Sequence, residues 1–311
     1  GHSCSFHNNL TLNYYVDANL AVLYDNLRLV IVRVVYDKDG NKTTETVTLT
    51  GEPATVNGKQ YLRFTYTGIA AAQLGSDISA RLYAGQDESL CHGPEDNYNL
   101  KTYAYNRLAA SKDGKFKALM VDLLNYCSAA QVYFGIRTDA LVNAELTEEQ
   151  KALAGTAGTY ENIAALTPLE GATATFFGNS ILFNNNVVLK SYLDLSGIED
   201  LSKVAFRIRM TDSDGTVSTT EIPFAEFSPA TVSGKAAYTV SFSGIAASQF
   251  GSKLELTVLN DGVAVSGTYT YSIESYVARR MENSTDENFK ALLAEMMKYS
   301  AAADAYLQEG N

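Results

Sequence analysis

Apolar and polar side chains alternate in short runs along the front of the chain, at 10–17, 27–37, 42–50, 59–67 and 76–84. Each run alternates or is rich in Val, Ile, Thr and Tyr, which predicts strands half-buried against a core. Asp39-Gly40 and Asp214-Gly215 fall where one run gives way to the next, and glycine there supplies the positive φ of a tight hairpin. Behind the strands the period changes from two to 3.6. Asn288 to Leu307 carries Phe289, Leu292, Leu293, Met296, Tyr299, Ala303 and Tyr306 at steps of three and four, which predicts an amphipathic helix. Ser284-Thr285-Asp286 precedes it as a capping stretch, and Ser111-Lys112-Asp113 does the same for a helix further up the chain. Shorter helices are predicted just before, at roughly 100–109 and 273–282.

The pattern occurs twice. Residues 97–135 align without a gap to 270–308, and 13 of the 39 pairs are identical, against about two or three by chance, so the repeat is real. Tyr98/Tyr271, Tyr103/Tyr276, Phe116/Phe289, Leu119/Leu292, Tyr126/Tyr299 and Tyr133/Tyr306 are among the matches. Upstream, TGIAAAQLGS (67–76) matches SGIAASQFGS (243–252), DKDG (37–40) matches DSDG (212–215), and LTLNYYVD (10–17) matches VVLKSYLD (187–194). Gly1-His2-Ser3 falls opposite Gly178-Asn179-Ser180. The second copy has a further apolar stretch, ATATFF (172–177), so module 1 is expected to lack its first strand in this chain.

The fold expected is α+β: two tandem copies of a small antiparallel, Ig-like β-sandwich, each followed by a two-helix hairpin. Module 1 spans 1–135, with its sandwich at about 1–96 and its hairpin at about 97–135. A linker follows at 136–171, with a helical turn at 147–154 capped by Thr147 and with Glu149 near the third position. Module 2 spans 172–311, with its sandwich at about 172–269 and its hairpin at about 270–308. The alanines of SAAQVY (128–133) and SAAADAY (300–306) let the long helices approach another surface closely, with the flanking tyrosines reaching over the edge.

Charge narrows the function. The 311 residues hold 24 basic and 35 acidic side chains, a formal charge of −11. A nucleic-acid binder needs a basic stripe and an anionic-lipid binder a polybasic face; neither is present. No apolar run approaches the ~20 residues that span a bilayer. Cys4, Cys91 and Cys127 are an odd set without CxxC spacing, and His2, His7 and His92 offer little ligand capacity, although Cys91-His92 sits together in one loop. The start lacks a charged segment and apolar core of a signal peptide, so the chain reads as part of something longer.

The order YNLKTYAYNRL (98–108), then KALMVDLLNYCSAAQVYFGIRTDALVNAELTEEQKAL (117–153), then a Gly-Asn-Ser strand opening a new module, resembles a repeated domain of large exported proteins of clostridial gut bacteria. Thr138 to Ala144 is similar to that family's joining sequence. The chain departs from the family pattern at Cys127 and Ser300, where glycine is usual, and in the loop 84–96. The resemblance implies an accessory module on a Gram-positive cell surface, with no activity and no catalytic residues to carry over.

The chemistry agrees. GxSxG, HExxH, GxxxxGK[ST] and a strand-borne GxGxxG are all missing. Of the acidic residues, Asp17/Asp194, Asp37/Asp212, Asp39/Asp214 and Asp113/Asp286 recur, at turns and a helix start. The DxDG turns have clustered oxygens that suit calcium but lack the rest of an EF-hand loop. Tyr14, Tyr15, Tyr61, Tyr66, Tyr160 and Tyr192, in strands or the linker, are candidate platforms for a sugar ring, whereas Tyr98, Tyr103, Tyr126 and Tyr133 recur at helical spacing as core or edge-of-core residues that reach water with their hydroxyls. The expected function is a non-catalytic extracellular spacer, presentation or adhesion unit, with a carbohydrate-binding module as the alternative. No cofactor, metal or catalytic residue is expected, and no ligand-binding residue is assigned. Expected partners are a host or bacterial surface protein or a glycan, met by strand addition to an open sheet edge among other routes.

Overall fold

The computed structural model describes residues 1–5, 10–85, 95–183 and 187–308. The fold is α+β, with antiparallel sheets throughout. Contacts divide the chain into two units, Gly1–Thr156 together with the residues from Ala294 onward, and Ala157–Leu293. No helix among the described residues is long and apolar enough to cross a membrane.

The first unit begins with β1 (His2–Ser5), β2 (Thr11–Asp17), the short α1 (Asn19–Leu23), β3 (Arg28–Tyr36) and β4 (Lys42–Thr50). It continues with β5 (Glu52–Val56), β6 (Lys59–Tyr66), β7 (Ile78–Tyr83) and β8 (Asp96–Tyr98). Two four-stranded sheets result, in the orders β1-β2-β6-β5 and β4-β3-β7-β8. Alternation fixes their inner faces: Leu12, Ile31, Phe64 and Ile78 are buried. The five strands expected from the pattern are present to within two residues at each end. β5 escaped the pattern because Pro53 breaks it; β5 is an edge strand, where a residue without an N–H is tolerated.

Arg33 interrupts the apolar face of β3. Its guanidinium is buried, 2.7 Å from the Glu45 carboxylate and over the Tyr66 ring at 5.8 Å.

Helices α2 (Leu100–Ala110), α3 (Gly114–Phe134) and α4 (Glu148–Lys151) follow. The caps are those expected: Asp113 Oδ1 accepts the N–H groups of Lys115 and Phe116. At α4, Thr147 does cap, but its capping box closes with Gln150 rather than Glu149. α3 packs on the 3₁₀ turn Ala71–Gln73 of the GIAAAQ segment.

The second unit holds β9 (Ala165–Thr167), β10 (Thr175–Phe183), β11 (Val187–Asp194), β12 (Val204–Thr211) and β13 (Val217–Pro223). Then come β14 (Ser228–Val232), β15 (Lys235–Phe242), β16 (Lys253–Asn260), β17 (Val263–Ala264), β18 (Thr268–Tyr271) and α5 (Ile273–Asn283). The last helix, α6 (Glu287–Leu307), starts here, and its residues from Ala294 belong to the first unit. One sheet runs β10-β11-β15-β14, the other β13-β12-β16-β18-β9, with β17 also on β16.

Register repeats with order. His2↔Tyr14 in the first unit corresponds to Asn179↔Ser191 in the second, and Leu12↔Tyr66 to Leu189↔Phe242. The stretch 172–177 is not an additional strand. Its last three residues open β10, the counterpart of β1, which bulges between Phe176 and Gly178. The segment 136–171 is not a plain spacer either: Val142 and Leu146 are buried in the first unit, and β9 is a strand of the second.

Candidate functional site

Three stretches far apart in sequence enclose a cleft of about 580 Å³ in the first unit. One wall is the turn into β7, with Gly75 and Asp77. The second is the first two turns of α2, with Asn99, Lys101, Thr102, Tyr105 and Asn106. The third is the segment Arg137–Glu145.

Each wall has a local cause. Asn99 caps α2 by accepting the Thr102 N–H, and its Nδ2 donates to the Gly75 carbonyl (3.0 Å) and to Asp77 Oδ1 (3.3 Å). The cap therefore ties helix to sheet. α3 ends on Gly135 in the left-handed region (φ 70°), and the Ile136 N–H returns to the Gln131 carbonyl, a Schellman closure. Arg137 is also left-handed (φ 48°), an unusual position for a side-chain-bearing residue, and it turns the chain back.

The returning segment is held by one buried side chain. Gln131, 2% exposed, accepts the Val142 N–H at 2.9 Å and donates to the carbonyls of Ala140 (3.2 Å) and Arg137 (3.4 Å). Ser128 Oγ donates to Asn143 Oδ1 and the Tyr105 hydroxyl to the Val142 carbonyl. Burial pushes the Tyr105 phenol up to about 12.

The charges inside are unevenly matched. Lys101 pairs with Glu145 at 2.6 Å. Arg137 stacks over Tyr36 at 4.5 Å and bonds the Gly75 carbonyl, with no carboxylate partner among the described residues. Amides, hydroxyls, two cations and two carboxylates line the space, so it can hydrogen-bond a polar or extended ligand.

A second polar group is buried between α3 and the later part of α6. Asp122 is 1% exposed, and the Gly155 N–H donates to both its oxygens at 3.0 and 3.1 Å. Lys298 Nζ pairs with Glu295 Oε1 at 2.7 Å, while Glu295 Oε2 is buried without a hydrogen bond. Burial pushes the Asp122 carboxyl up to about 6, with the Gly155 N–H opposing, the Glu295 charge raising it further and Lys298 lowering it. The folded state thus binds this proton more tightly than the unfolded chain, whose carboxyl titrates near 3.8. Stability should fall as pH rises from about 4 through 6, by on the order of 2 kcal/mol with solvent screening allowed for. Asp122→Asn should flatten that slope and gain stability at pH 7; urea midpoints from pH 4 to 8 measure it.

The residues expected from sequence are dispersed. Cys4 and Cys127 are free thiols; burial pushes Cys4 up to about 12 and raises Cys127 as well. The His2 ring lies tilted against that of Tyr98, with centroids 3.9 Å apart, and 3.4 Å from Asp96. His7, Cys91 and His92 lie outside the described residues. Asp37 spends its oxygens on the N–H groups of Asp39 and Asn41 and on the Asn41 amide, so the first DxDG turn is closed by its own carboxylate. In the second turn Asp214 accepts from Thr216, and Asp212 accepts from Gln249 and Ser252. Among the described residues no cluster of three His, Cys, Asp or Glu could hold a metal ion. Of the 20 tyrosines, Tyr24 alone, at 38%, is more than about a third exposed.

Residues identical in both copies do the same work in each. Arg107 lies over Tyr103 (6.0 Å) and Phe116 (5.2 Å), and Arg280 over Tyr276 (5.3 Å) and Phe289 (5.9 Å). Asp113 and Asp286 cap Phe116 and Phe289, and Ser111 and Ser284 accept the N–H of those aspartates. Ser3 bonds the Tyr15 hydroxyl as Ser180 bonds Tyr192. The arginine pair was invisible as a site in the sequence, because one matched cation among apolar matches has no local motif.

A comparison of the chain with known protein families finds no match, and a comparison with curated proteins finds no relative.

Proposed function

We propose that the chain is a non-catalytic accessory module pair of an extracellular bacterial surface protein, acting in spacing, presentation or adhesion. In this reading it comprises two tandem Ig-like sandwiches, each with a helical hairpin. One observation carries it: the side chains kept in both copies cap helices, close turns and stack rings, and none of them faces the cleft. A reactive centre preserved by duplication would need shared polar groups converging on one space. The resemblance to modules of clostridial exported proteins points the same way, and the acidic surface suits a protein kept soluble outside the cell.

Carbohydrate binding on a strip of tyrosines is less well supported, since rings that stack on sugars must present a face to solvent. Tyr14 and Tyr66 are buried, and Tyr15, Tyr61, Tyr160 and Tyr192 are only partly exposed. The protein is therefore expected to migrate without retardation in affinity gels containing starch, xylan or mucin. It should also give no turnover on a broad panel of glycosides, esters and peptides. Retardation abolished by a Tyr→Ala change would establish the glycan reading instead, and turnover lost on replacing a single carboxylate would establish an enzyme.

A further inference from the structure

The first unit is assembled from two stretches of chain, Gly1–Thr156 and the residues from Ala294 onward. The second stretch is the later part of α6, an unbroken helix that starts in the other unit. Met296, Tyr299 and Ala303 on it are buried. The other covalent link between the units runs through 156–159, which is exposed and has neither helix nor strand. A segment delivered on such an arm can equally be delivered by the arm of another molecule.

What α6 meets in the first unit is its own counterpart. The repeat sets Met296 opposite Leu123, Tyr299 opposite Tyr126, Ser300 opposite Cys127 and Ala303 opposite Ala130. Tyr126 and Tyr299 stack on each other, with centroids 5.8 Å apart and planes 7° from parallel. Phe116 packs against Tyr306 at 5.4 Å, so the helices run antiparallel. A contact made by equivalent side chains of antiparallel helices is approximately two-fold, the arrangement by which identical molecules pair. Reciprocal exchange uses each face once, so it yields pairs and not filaments.

We propose that α3 is a docking face for the later part of α6 from a second copy of this chain, so that two molecules exchange α6 ends and each completes the other's first unit. Charge selects α6 over a second α3. Asp122 is buried on α3, and the Lys298 ammonium on α6 acts in favour of its carboxylate form. A Cβ on Gly155 would come 3.1 Å from Asp122 Oδ2 and 3.7 Å from the Lys298 Cβ, so the two side chains flank one stretch of backbone. At the position of Lys298, α3 carries Asn125, which accepts from Asn143 at 3.0 Å. An α3–α3 pair would therefore bury two Asp122 carboxylates with no lysine beside either. In dilute solution the chain's own helix prevails, because a tethered segment faces its site at an effective concentration on the order of millimolar. A contact made in about nine-tenths of molecules under that condition has a Kd between molecules of about 0.1 mM or tighter.

Two full-length variants separate docking within a chain from docking between chains. Tyr126→Arg spoils the α3 face and keeps α6, whereas Tyr299→Arg spoils α6 and keeps the α3 face; circular dichroism checks the fold of each. Sedimentation of the mixture should show a heterodimer with a Kd of about 0.1 mM or tighter, while Tyr126→Arg alone stays monomeric. Lys298→Glu added to the Tyr126→Arg chain, which donates its α6, should weaken the heterodimer by about tenfold or more. The same change added to the Tyr299→Arg chain should leave it unaltered. A second measurement keeps both faces whole: Tyr306→p-benzoylphenylalanine is introduced alone, and light and isotope-labelled chains are mixed at a concentration on the order of millimolar, equilibrated in mild urea and photolysed. Links of mixed isotope mass to the peptide that holds Phe116 are expected. No heterodimer at about 0.5 mM of each variant, a heterodimer indifferent to which chain carries Lys298→Glu, or the absence of mixed-mass links would overturn the proposal. So would mixed-mass links that fall on the peptide holding Tyr133 instead, since the helices would then dock parallel.

Discussion

Replacing Tyr299 by alanine should lower stability by about 3–5 kcal/mol, the range for truncating a large buried aromatic. Tyr299 is 5% exposed, and its ring lies parallel to that of Tyr126, with centroids 5.8 Å apart and planes 7° from each other. Burial raises both phenols above their ordinary range. These two residues occupy the same position in the repeat, so α3 meets the later part of α6 through equivalent side chains. Phe116 against Tyr306 at 5.4 Å gives the antiparallel sense. Small residues beside the rings, Ala130 and Ala303, are buried and permit the close approach. Urea unfolding at fixed pH measures the loss as a lower midpoint.

Gln131→Leu should be nearly as costly, about 3 kcal/mol, and for a different reason. Leucine has a similar volume but no polar atoms. The Val142 N–H and the carbonyls of Ala140 and Arg137 would lose their partner, each at about 1–3 kcal/mol if it finds no water. The segment behind Arg137 would loosen and the cleft lose its third wall. Hydrogen exchange at the Val142 amide should speed up by at least tenfold while amides in β2 and β6 keep their protection. Unchanged exchange at Val142 would mean that the segment is held by packing of Val142 and Leu146 alone.

Much of the fold was legible because it is periodic and written twice. β2, β3, β4, β6 and β7 alternate or are rich in Val, Ile, Thr and Tyr, and the long helices carry both a stripe and a cap. β5 and β9 are legible only afterwards. Pro53 interrupts the first, and the second is three residues long, with Leu166 about half exposed, so neither has a buried face to declare itself. Polar residues of the GIAAAQLGS and GIAASQFGS segments also hid their work. Gln73 bonds the backbone of Tyr36 and Gln249 the Asp212 carboxylate, in both cases anchoring the 3₁₀ turn to the end of a strand. Arg33 reads in sequence as an error in an apolar face; its charge is matched across the strand pair by Glu45.

The cleft was hardest to foresee. Its walls come from residues 75–77, 99–106 and 137–145, and they meet only because Asn99 reaches the sheet and Arg137 reverses the chain. Nothing local marks such a place. The copies differ at this place: Glu274 accepts the Glu161 N–H, whereas its counterpart Lys101 lines the cleft and pairs with Glu145.

A double-mutant cycle on Tyr126 and Tyr299 tests most directly whether side chains shared by the copies are there to pack. Stability of the parent, Tyr126→Ala, Tyr299→Ala and the double variant would be compared in urea. Rings in mutual contact predict a coupling energy of about 1 kcal/mol, the double variant losing less than the sum of the single losses. Strictly additive losses would mean that the two tyrosines do not support each other, and the packing account of the repeat would fail.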